Sequence, residues 1–201
     1  PVGSPWGGTE NIEYLSCFSS MLLHLEDYDG TRNFMQKMHE DTYHLYLTIS
    51  GLGLSSLFNE SFTPIARGVL VDQRFEEVVH STMEYAGCLY RVYDNSQPSL
   101  VREQMIASLK KGIAPLLYDA RTSQWRIVTG YDTDTDAMMG YDGHNTQWPA
   151  RQPQPDFYLD SGMFVLKTWQ DSFTHLVAVY DKQRRPGPYP HLLNRLVSIL
   201  E

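Results

Sequence analysis

Residues 124–142, QWRIVTGYDTDTDAMMGYD, give the clearest indication of the fold, because they predict two short strands joined by a turn. QWRIVTGYD (124–132) and DAMMGYD (136–142) are short runs rich in apolar and aromatic residues, and the Asp- and Thr-rich segment between them is typical of a turn. Three further runs have the same character: IAPLLYDA (113–120), MFVLKTW (163–169) and HLVAVYD (175–181). Crossover helices do not fit between strands so closely spaced. The second half of the chain therefore predicts an antiparallel sheet.

The first half of the chain predicts helices. From Ser16 to about Glu26, apolar residues recur at helical spacing, with Ser16 as the N-cap and Cys17 in the first turn. Further helices are expected over residues 32–46, 74–85 and 96–112, a strand over 88–94, and a closing helix over 189–200. The predicted fold class is α+β, with a helical first half packed on an antiparallel β-sheet in the second half, in a single domain over residues 1–201.

Composition and charge exclude several classes of partner. The 201 residues carry a net charge of −8, so nucleic acid is not an expected partner. No apolar run approaches the roughly 20 residues that cross a bilayer, so no membrane association is expected. Residues 1–10 lack the charged segment followed by an apolar segment that is typical of a signal peptide. The two cysteines are too few for a disulfide framework and do not form a zinc-binding motif. We expect a cytoplasmic protein with no cofactor and no bound metal.

Cys17 is the first candidate for chemistry, and its position allows two interpretations. The positive potential at a helix N-terminus favours the thiolate, which is the form of cysteine that attacks carbonyl groups. A cysteine at a helix start, followed later in the chain by strands, is also the order of parts in papain-like enzymes. Cysteines are, however, among the most often buried residues, so Cys17 also fits a small apolar residue of the core. Position alone leaves both interpretations open.

Three motifs, in order along the chain, resemble a known family. QWRIVTGYD (124–132) resembles the HWVVVTGYD strand of the C39-like group of papain-like peptidases. ISGLGLSSLF (49–58) resembles the GLGxGLGF segment of the butirosin biosynthesis protein H amino-terminal-domain family, and GIAPLLY (112–118) is similar to its GxPVLV strand. The resemblance runs from about residue 10 to residue 145. It implies a papain-like fold and cysteine-dependent acyl transfer from a carrier-protein thioester in natural-product biosynthesis.

Transferred along the matched motifs, the resemblance gives roles to four residues. It implies that Cys17 is the nucleophile and that Asp142 is the acidic residue that orients the base. Asn11 lies where papain-like enzymes hold an oxyanion-stabilising glutamine, and it would act together with the backbone N–H of Cys17. Gln124 lies where the family has its general-base histidine. This departure matters, because glutamine cannot accept and return a proton near neutral pH.

Three alternatives would make up for the missing base. His144 follows Asp142 by two residues, and His175 opens the strand predicted over 175–181. In the third alternative, the helix N-terminus alone generates the thiolate, which attacks an already activated thioester. An activated thioester needs less assistance than an amide, so the substitution by Gln124 disfavours proteolysis and leaves acyl transfer open.

The sequence therefore supports two main hypotheses. In the first, the chain is a papain-like enzyme that transfers an acyl group or otherwise handles a thioester. In the second, the same fold has lost its triad and binds an acyl carrier protein, a peptide-like small molecule or another assembly-line partner. A third possibility is dimerisation through an exposed sheet edge or a rim of tryptophans, and the sequence does not set the oligomeric state.

Asp132, Asp134 and Asp136 alternate as the ligands of a calcium loop do. A calcium loop of the EF-hand type also needs a glycine at its sixth position and a glutamate at its twelfth, and these positions hold Ala137 and Gly143. We therefore expect a solvated hairpin turn here rather than a metal site.

Overall fold

The computed structural model describes residues 12–25, 32–52, 75–119, 124–142, 163–167, 169–171 and 173–183. The helices in these ranges are α1 (Glu13–Leu25), α2 (Arg32–Ile49), α3 (Phe75–Ala86) and α4 (Pro98–Lys110). The strands are β1 (Cys88–Asp94), β2 (Leu116–Asp119), β3 (Gln124–Asp132), β4 (Ala137–Asp142), β5 (Phe164–Leu166) and β6 (Phe173–Lys182), and a short 3₁₀ helix (Trp169–Asp171) precedes β6.

The described strands form one sheet in the order β1-β6-β2-β3-β4-β5. Every neighbouring pair is antiparallel. The strands β2, β3 and β4 are consecutive in the chain, whereas β6 returns to lie between β1 and β2. This architecture confirms the α+β class and the antiparallel sheet that the short strand spacing predicted.

The sheet carries a hydrophobic core on each of its faces. On one face, which we call the α1 face, α1, α2 and α3 pack against alternate strand residues: Leu116, Trp125, Ile127, Val177 and Val179. On the other, the α4 face, Val101 and Met105 of α4 pack with Leu117, Val128, Leu176 and Ala178. Because successive residues of a strand point to opposite faces, the position of a residue in its strand determines which core its side chain joins.

The start of α1 differs from the predicted one. The helix begins at Glu13, and the N–H of Ser16 donates to the carbonyl of Ile12 at 3.1 Å, so Ser16 lies inside the helix and is not its N-cap. The apolar face of the helix extends to its N-terminal end, because Tyr14 and Leu15 are both buried. Glu13 adds a negative charge to the first turn, where the helix dipole favours it. The prediction was wrong because it relied on the capping preference of serine and not on this longer apolar pattern.

The helix signals around α4 are confirmed. Pro98 is its first residue, and Gly112, with a φ of +77°, follows its last turn in the left-handed conformation that glycine adopts without strain. The helix α2 continues to Ile49, beyond the predicted end, and Gly51 follows with a φ of +72°. The greater part of the glycine-rich segment, residues 53–58, and the predicted closing helix lie outside the described residues.

Candidate functional site

Cys17 lies in the second turn of α1, on the side of the helix that faces the sheet. Helical spacing places Glu13, Cys17 and His24 on one stripe of the helix surface. The backbone N–H of Trp125 in β3 donates to a carboxylate oxygen of Glu13 at 3.0 Å. At the other end of the stripe, Nε2 of His24 donates to the carbonyl oxygen of Gly112 at 3.1 Å. Cys17 lies between these two anchors and is 0% exposed.

The backbone N–H of Cys17 takes part in the hydrogen bonding of the helix. In an α-helix each N–H bonds to the carbonyl four residues earlier, which pairs the N–H of Cys17 with the carbonyl of Glu13. The N–H groups that lack an intrahelical partner belong to the first turn instead. The predicted oxyanion hole needs the N–H of Cys17 to face a substrate, and this helix start does not present it that way. Asn11, the other predicted donor, lies outside the described residues.

Gln124 opens β3 on the opposite side of the sheet. Its neighbour Trp125 packs edge-on against Tyr14 of α1, with ring centroids 4.9 Å apart, so Trp125 lies on the α1 face. Alternation along β3 then places Gln124 on the α4 face. The fold therefore does not bring Gln124 and Cys17 together, because the sheet lies between their side chains.

A buried ion pair lies beside Gln124. Arg126 places its Nη2 atom 3.2 Å from Oδ2 of Asp119, and both side chains are buried. Asp119 is also the Cα partner of Gln124 in the β2–β3 ladder, and the Arg126 guanidinium carbon lies 4.8 Å from the ring centre of Phe164. A charge buried without its counter-charge is strongly unfavourable, so this pair helps to fix the register of β2 against β3. Asp142, the predicted orienting residue, is the Cα partner of Arg126 across β3 and β4.

Only one of the two histidines proposed to replace the missing general base lies among the described residues. His144 lies outside the described residues. His175 is the Cα partner of Tyr118, which in turn pairs with Trp125, so the three form a row across the α1 face. This row meets the first turn of α1, where the Trp125 N–H is bound. Cys17 lies one turn, about 5–6 Å, further along the helix axis.

No sequence motif indicated His39, a histidine that contacts the peptide group preceding Cys17. Nε2 of His39 in α2 is 3.0 Å from the carbonyl oxygen of Ser16, which belongs to the peptide group that joins Ser16 to Cys17, and His39 is 2% exposed. Because a carbonyl only accepts, Nε2 carries the hydrogen, and Nδ1 is the ring nitrogen that can take up a proton. The signal in the sequence was the spacing of His39, Tyr43 and Tyr46, three buried residues on one side of a helix that otherwise reads as polar.

The turn between β3 and β4 uses its aspartates for its own structure. Asp132 accepts hydrogen bonds from the hydroxyl of Thr135 at 2.6 Å and from the N–H of Asp134 at 3.0 Å. These two bonds, the Thr135 bond first, hold the pKa of Asp132 below its ordinary value. Asp136 has a φ of +53°, and its Oδ1 atom lies 3.1 Å from Nε of Arg102 in α4. Within the described ranges, no group of three or more His, Cys, Asp or Glu residues is arranged to hold a metal ion.

Two further findings bear on the class of protein. None of the helices in the described ranges has the length and apolar character needed to cross a lipid bilayer. No family model, no curated protein and no solved structure matches the chain.

Proposed function

We propose that this chain is a binding domain whose Cys17 is part of the core, and that it holds an acyl carrier protein, a peptide-like molecule or another assembly-line partner without transforming it. The observation that supports this proposal is the complete burial of Cys17 in the core that the helices form with one face of the sheet. A nucleophile must be reached by its substrate, and in this structure the thiol is not accessible. Gln124, which cannot exchange protons and lies across the sheet, is consistent with the same proposal.

A small side chain at position 17 has a structural purpose. The segment SCFSS, residues 16–20, buries Ser16, Cys17, Ser19 and Ser20 along with its phenylalanine. Small residues let a helix approach its neighbours closely, and the two hydrogen bonds from the Glu13–His24 stripe hold α1 at that distance. A cysteine between these anchors fits the role of a small buried core residue.

The proposal is tested by native-state alkylation with iodoacetamide, read by mass spectrometry, with the buried Cys88 as the internal control. We expect Cys17 and Cys88 to label at similarly slow rates, limited by opening of the structure, and both to label quickly in denaturant. We also expect the Cys17→Ala variant to bind an acyl-loaded carrier protein as tightly as the wild type does, with the thioester left intact. Rapid native labelling confined to Cys17 would contradict the proposal.

Cysteine-dependent acyl transfer is the second candidate, and the hydrogen bond between His39 and Ser16 favours it. His39 would act through Nδ1, since Nε2 donates to the carbonyl of Ser16 at 3.0 Å. The thiol of Cys17 would give its proton to Nδ1, and the thiolate would add to the thioester carbonyl. The bond from that carbon to the donor sulfur would then break, and the departing thiolate would recover the proton from the imidazolium. The acyl group would remain on Cys17, and α1 and α2 would have to separate to admit the donor.

The second candidate is tested by intact-mass measurement after incubation with an acyl N-acetylcysteamine thioester. An acyl adduct on the wild type that is absent from Cys17→Ala supports it. His39→Gln keeps a donor for the carbonyl of Ser16 but has no base, so adduct formation should slow by about 100-fold or more. The matched control is His24→Gln. His24 lies on α1, as Cys17 does, and bonds to the carbonyl of Gly112, so this variant should leave the rate unchanged. A wild-type chain that forms no adduct excludes this activity.

A further inference from the structure

The longer edge of the sheet carries exposed apolar side chains. Among the described residues, the large hydrophobic side chains that are exposed are Leu89, at 47%, and Val92, at 40%. Both belong to β1, which within the described ranges has a strand neighbour, β6, on one side only. β1 has seven residues, whereas β5, at the other end of the sheet, has three. An edge strand of this length is a template for pairing with another strand.

Leu89 and Val92 point to opposite faces of the sheet. They are separated by an odd number of positions, and side chains alternate along a strand. The irregularity in the β1–β6 ladder at Leu89 and Tyr90 places its additional residue in β6, so it does not change this count. A partner that docked on one face would therefore cover only one of them. A strand that continued the sheet beside β1 would shield parts of both and would also pair with the backbone groups of the edge. The arrangement favours pairing along the edge over docking on a face.

We propose that β1 pairs antiparallel with β1 of a second copy of this chain, about a two-fold axis that passes midway between the two copies of Val92. The faces of the two sheets are then continuous, so residues on the same face oppose each other. Val92 lies against Val92 of the second copy, and Arg91 lies against its Tyr93. The first is an apolar cross-strand pair, and the second places a cation beside an aromatic ring, so both stabilise the register.

The residues of β1 disfavour the neighbouring registers. A register in which Arg91 lies against Arg91 of the second copy would bring two guanidinium groups together, which is destabilising. A register in which Tyr93 lies against Tyr93 of the second copy would place Val92 against Asp94, an apolar side chain against an exposed carboxylate. The strand thus selects one register of pairing with itself, which is the reason for assigning the edge to a second copy rather than to a segment of another protein. This assignment does not depend on the proposed function.

Net charge makes the association depend on salt. Each copy carries a net charge of −8, so two copies repel each other at low ionic strength. Salt screens this long-range repulsion, while the apolar contact at Val92 and the backbone hydrogen bonds remain. We expect the dimer to strengthen as the salt concentration rises, which is the opposite of the trend for an interface held by complementary charges.

Cysteine cross-linking tests the register. Directly opposed residues of an antiparallel pair have Cα atoms about 4.5–5.5 Å apart, a spacing that a disulfide bridges. The Val92→Cys variant should therefore form a covalent dimer on mild oxidation. Leu89 opposes Asn95 in this register, which leaves the two Leu89 positions about 20 Å apart. The Leu89→Cys variant, at a position on the same strand that is at least as exposed, should stay monomeric under denaturing conditions, and the wild type, whose cysteines are buried, gives the background.

Sedimentation equilibrium tests the dimer itself. We expect the wild type to associate with increasing concentration, and more so at high salt. Val92→Lys, which places two ammonium groups on the axis, should raise the dissociation constant at least about tenfold, whereas Val92→Thr, which keeps a β-branched side chain, should change it little. A wild-type chain that is monomeric at every concentration and salt level would overturn the proposal, as would equal cross-linking of Val92→Cys and Leu89→Cys. A monomer that instead binds an extended peptide along β1 would also overturn it.

Discussion

A carboxylate oxygen of Glu13 accepts a hydrogen bond from the backbone N–H of Trp125 at 3.0 Å and joins the first turn of α1 to the beginning of β3. The bond links two residues more than a hundred positions apart in the chain, and it sets where α1 lies along the sheet. It brings the N-terminus of α1 to the start of the β3–β4 hairpin. The residue that meets the strand at that point is Glu13, however, and Cys17 lies a turn further on.

We expect Glu13→Ala to lower the free energy of unfolding by about 1–3 kcal/mol. The substitution leaves the N–H of Trp125 without this acceptor and removes a negative charge from the first turn of α1. Glu13→Gln is the matched control, because its amide oxygen can still accept the bond, and it should lose less than half as much. Urea denaturation measures both values. Equal losses in the two variants would show that this hydrogen bond does not position α1.

The buried pair of Arg126 and Asp119 leads to a second prediction. Arg126→Ala leaves the carboxylate of Asp119 buried without its counter-charge and should lower the free energy of unfolding by about 3–5 kcal/mol. The double variant Asp119→Leu with Arg126→Met replaces both charges by apolar groups next to Phe164, and it should be much closer to the wild type in stability. Urea denaturation of the single and double variants decides the matter. A double variant as unstable as Arg126→Ala would mean that the charges themselves are required.

Much of the architecture follows from local sequence. The strands were predictable because short apolar runs with turn residues between them leave no room for crossover helices. The residues Pro98 and Gly112 mark the ends of α4, since each favours a backbone conformation that belongs at that place. The position of β6 between β1 and β2 was not predictable, because it depends on contacts between residues far apart in the chain.

The candidate site was less predictable than the fold, for a geometric reason. A shift of one residue in a strand moves a side chain to the other face of a sheet, and a shift of a few residues in a helix start changes which N–H groups are unpaired. Motif matching placed Gln124 and Cys17 in one site, but it specified neither the strand face of Gln124 nor the first residue of α1. His39 was missed because its partner is a backbone carbonyl, which no side-chain motif records.

A third prediction concerns Gly140, where β3 and β4 approach each other closely. A Cβ atom at Gly140 would lie 1.9 Å from the carbonyl oxygen of Ile127, and a backbone group cannot move aside without disrupting the ladder. We expect Gly140→Ala to lower the free energy of unfolding by about 3 kcal/mol or more. Gly130→Ala is the matched control in the paired strand, because its Cβ would meet the flexible end of Met139 at 3.3 Å. It should cost less than about 1 kcal/mol by thermal or urea unfolding, and similar losses at both positions would contradict this account.

The last prediction starts from Tyr14, which is fully buried beside Trp125. Its hydroxyl lies 2.8 Å from Oγ1 of Thr82, and because that oxygen donates its own hydrogen to the carbonyl of Val78, Tyr14 is the donor. Burial, which disfavours the phenolate, raises the pKa of Tyr14 far above its ordinary value. The folded chain therefore keeps this proton at pH values where the unfolded chain releases it.

The sign of the pH effect follows from linkage. A folded-state pKa above the unfolded value of about 10 leaves stability intact below that pH, and the free energy of unfolding then falls as pH rises above it. We expect the free energy of unfolding of Tyr14→Phe to be about 1 kcal/mol below that of the wild type at neutral pH, because the bond to Thr82 is missing. Between neutral pH and pH values above about 10, however, the free energy of unfolding should fall less in Tyr14→Phe than in the wild type. Thr82→Val separates the effect of the hydrogen bond from the effect of the buried phenol, because it removes the hydroxyl partner and keeps Tyr14. The fall in its free energy of unfolding at alkaline pH should therefore match that of the wild type. Urea denaturation across this pH range measures the difference, and an unchanged alkaline loss in Tyr14→Phe would show that Tyr14 is not among the tyrosines that limit stability there.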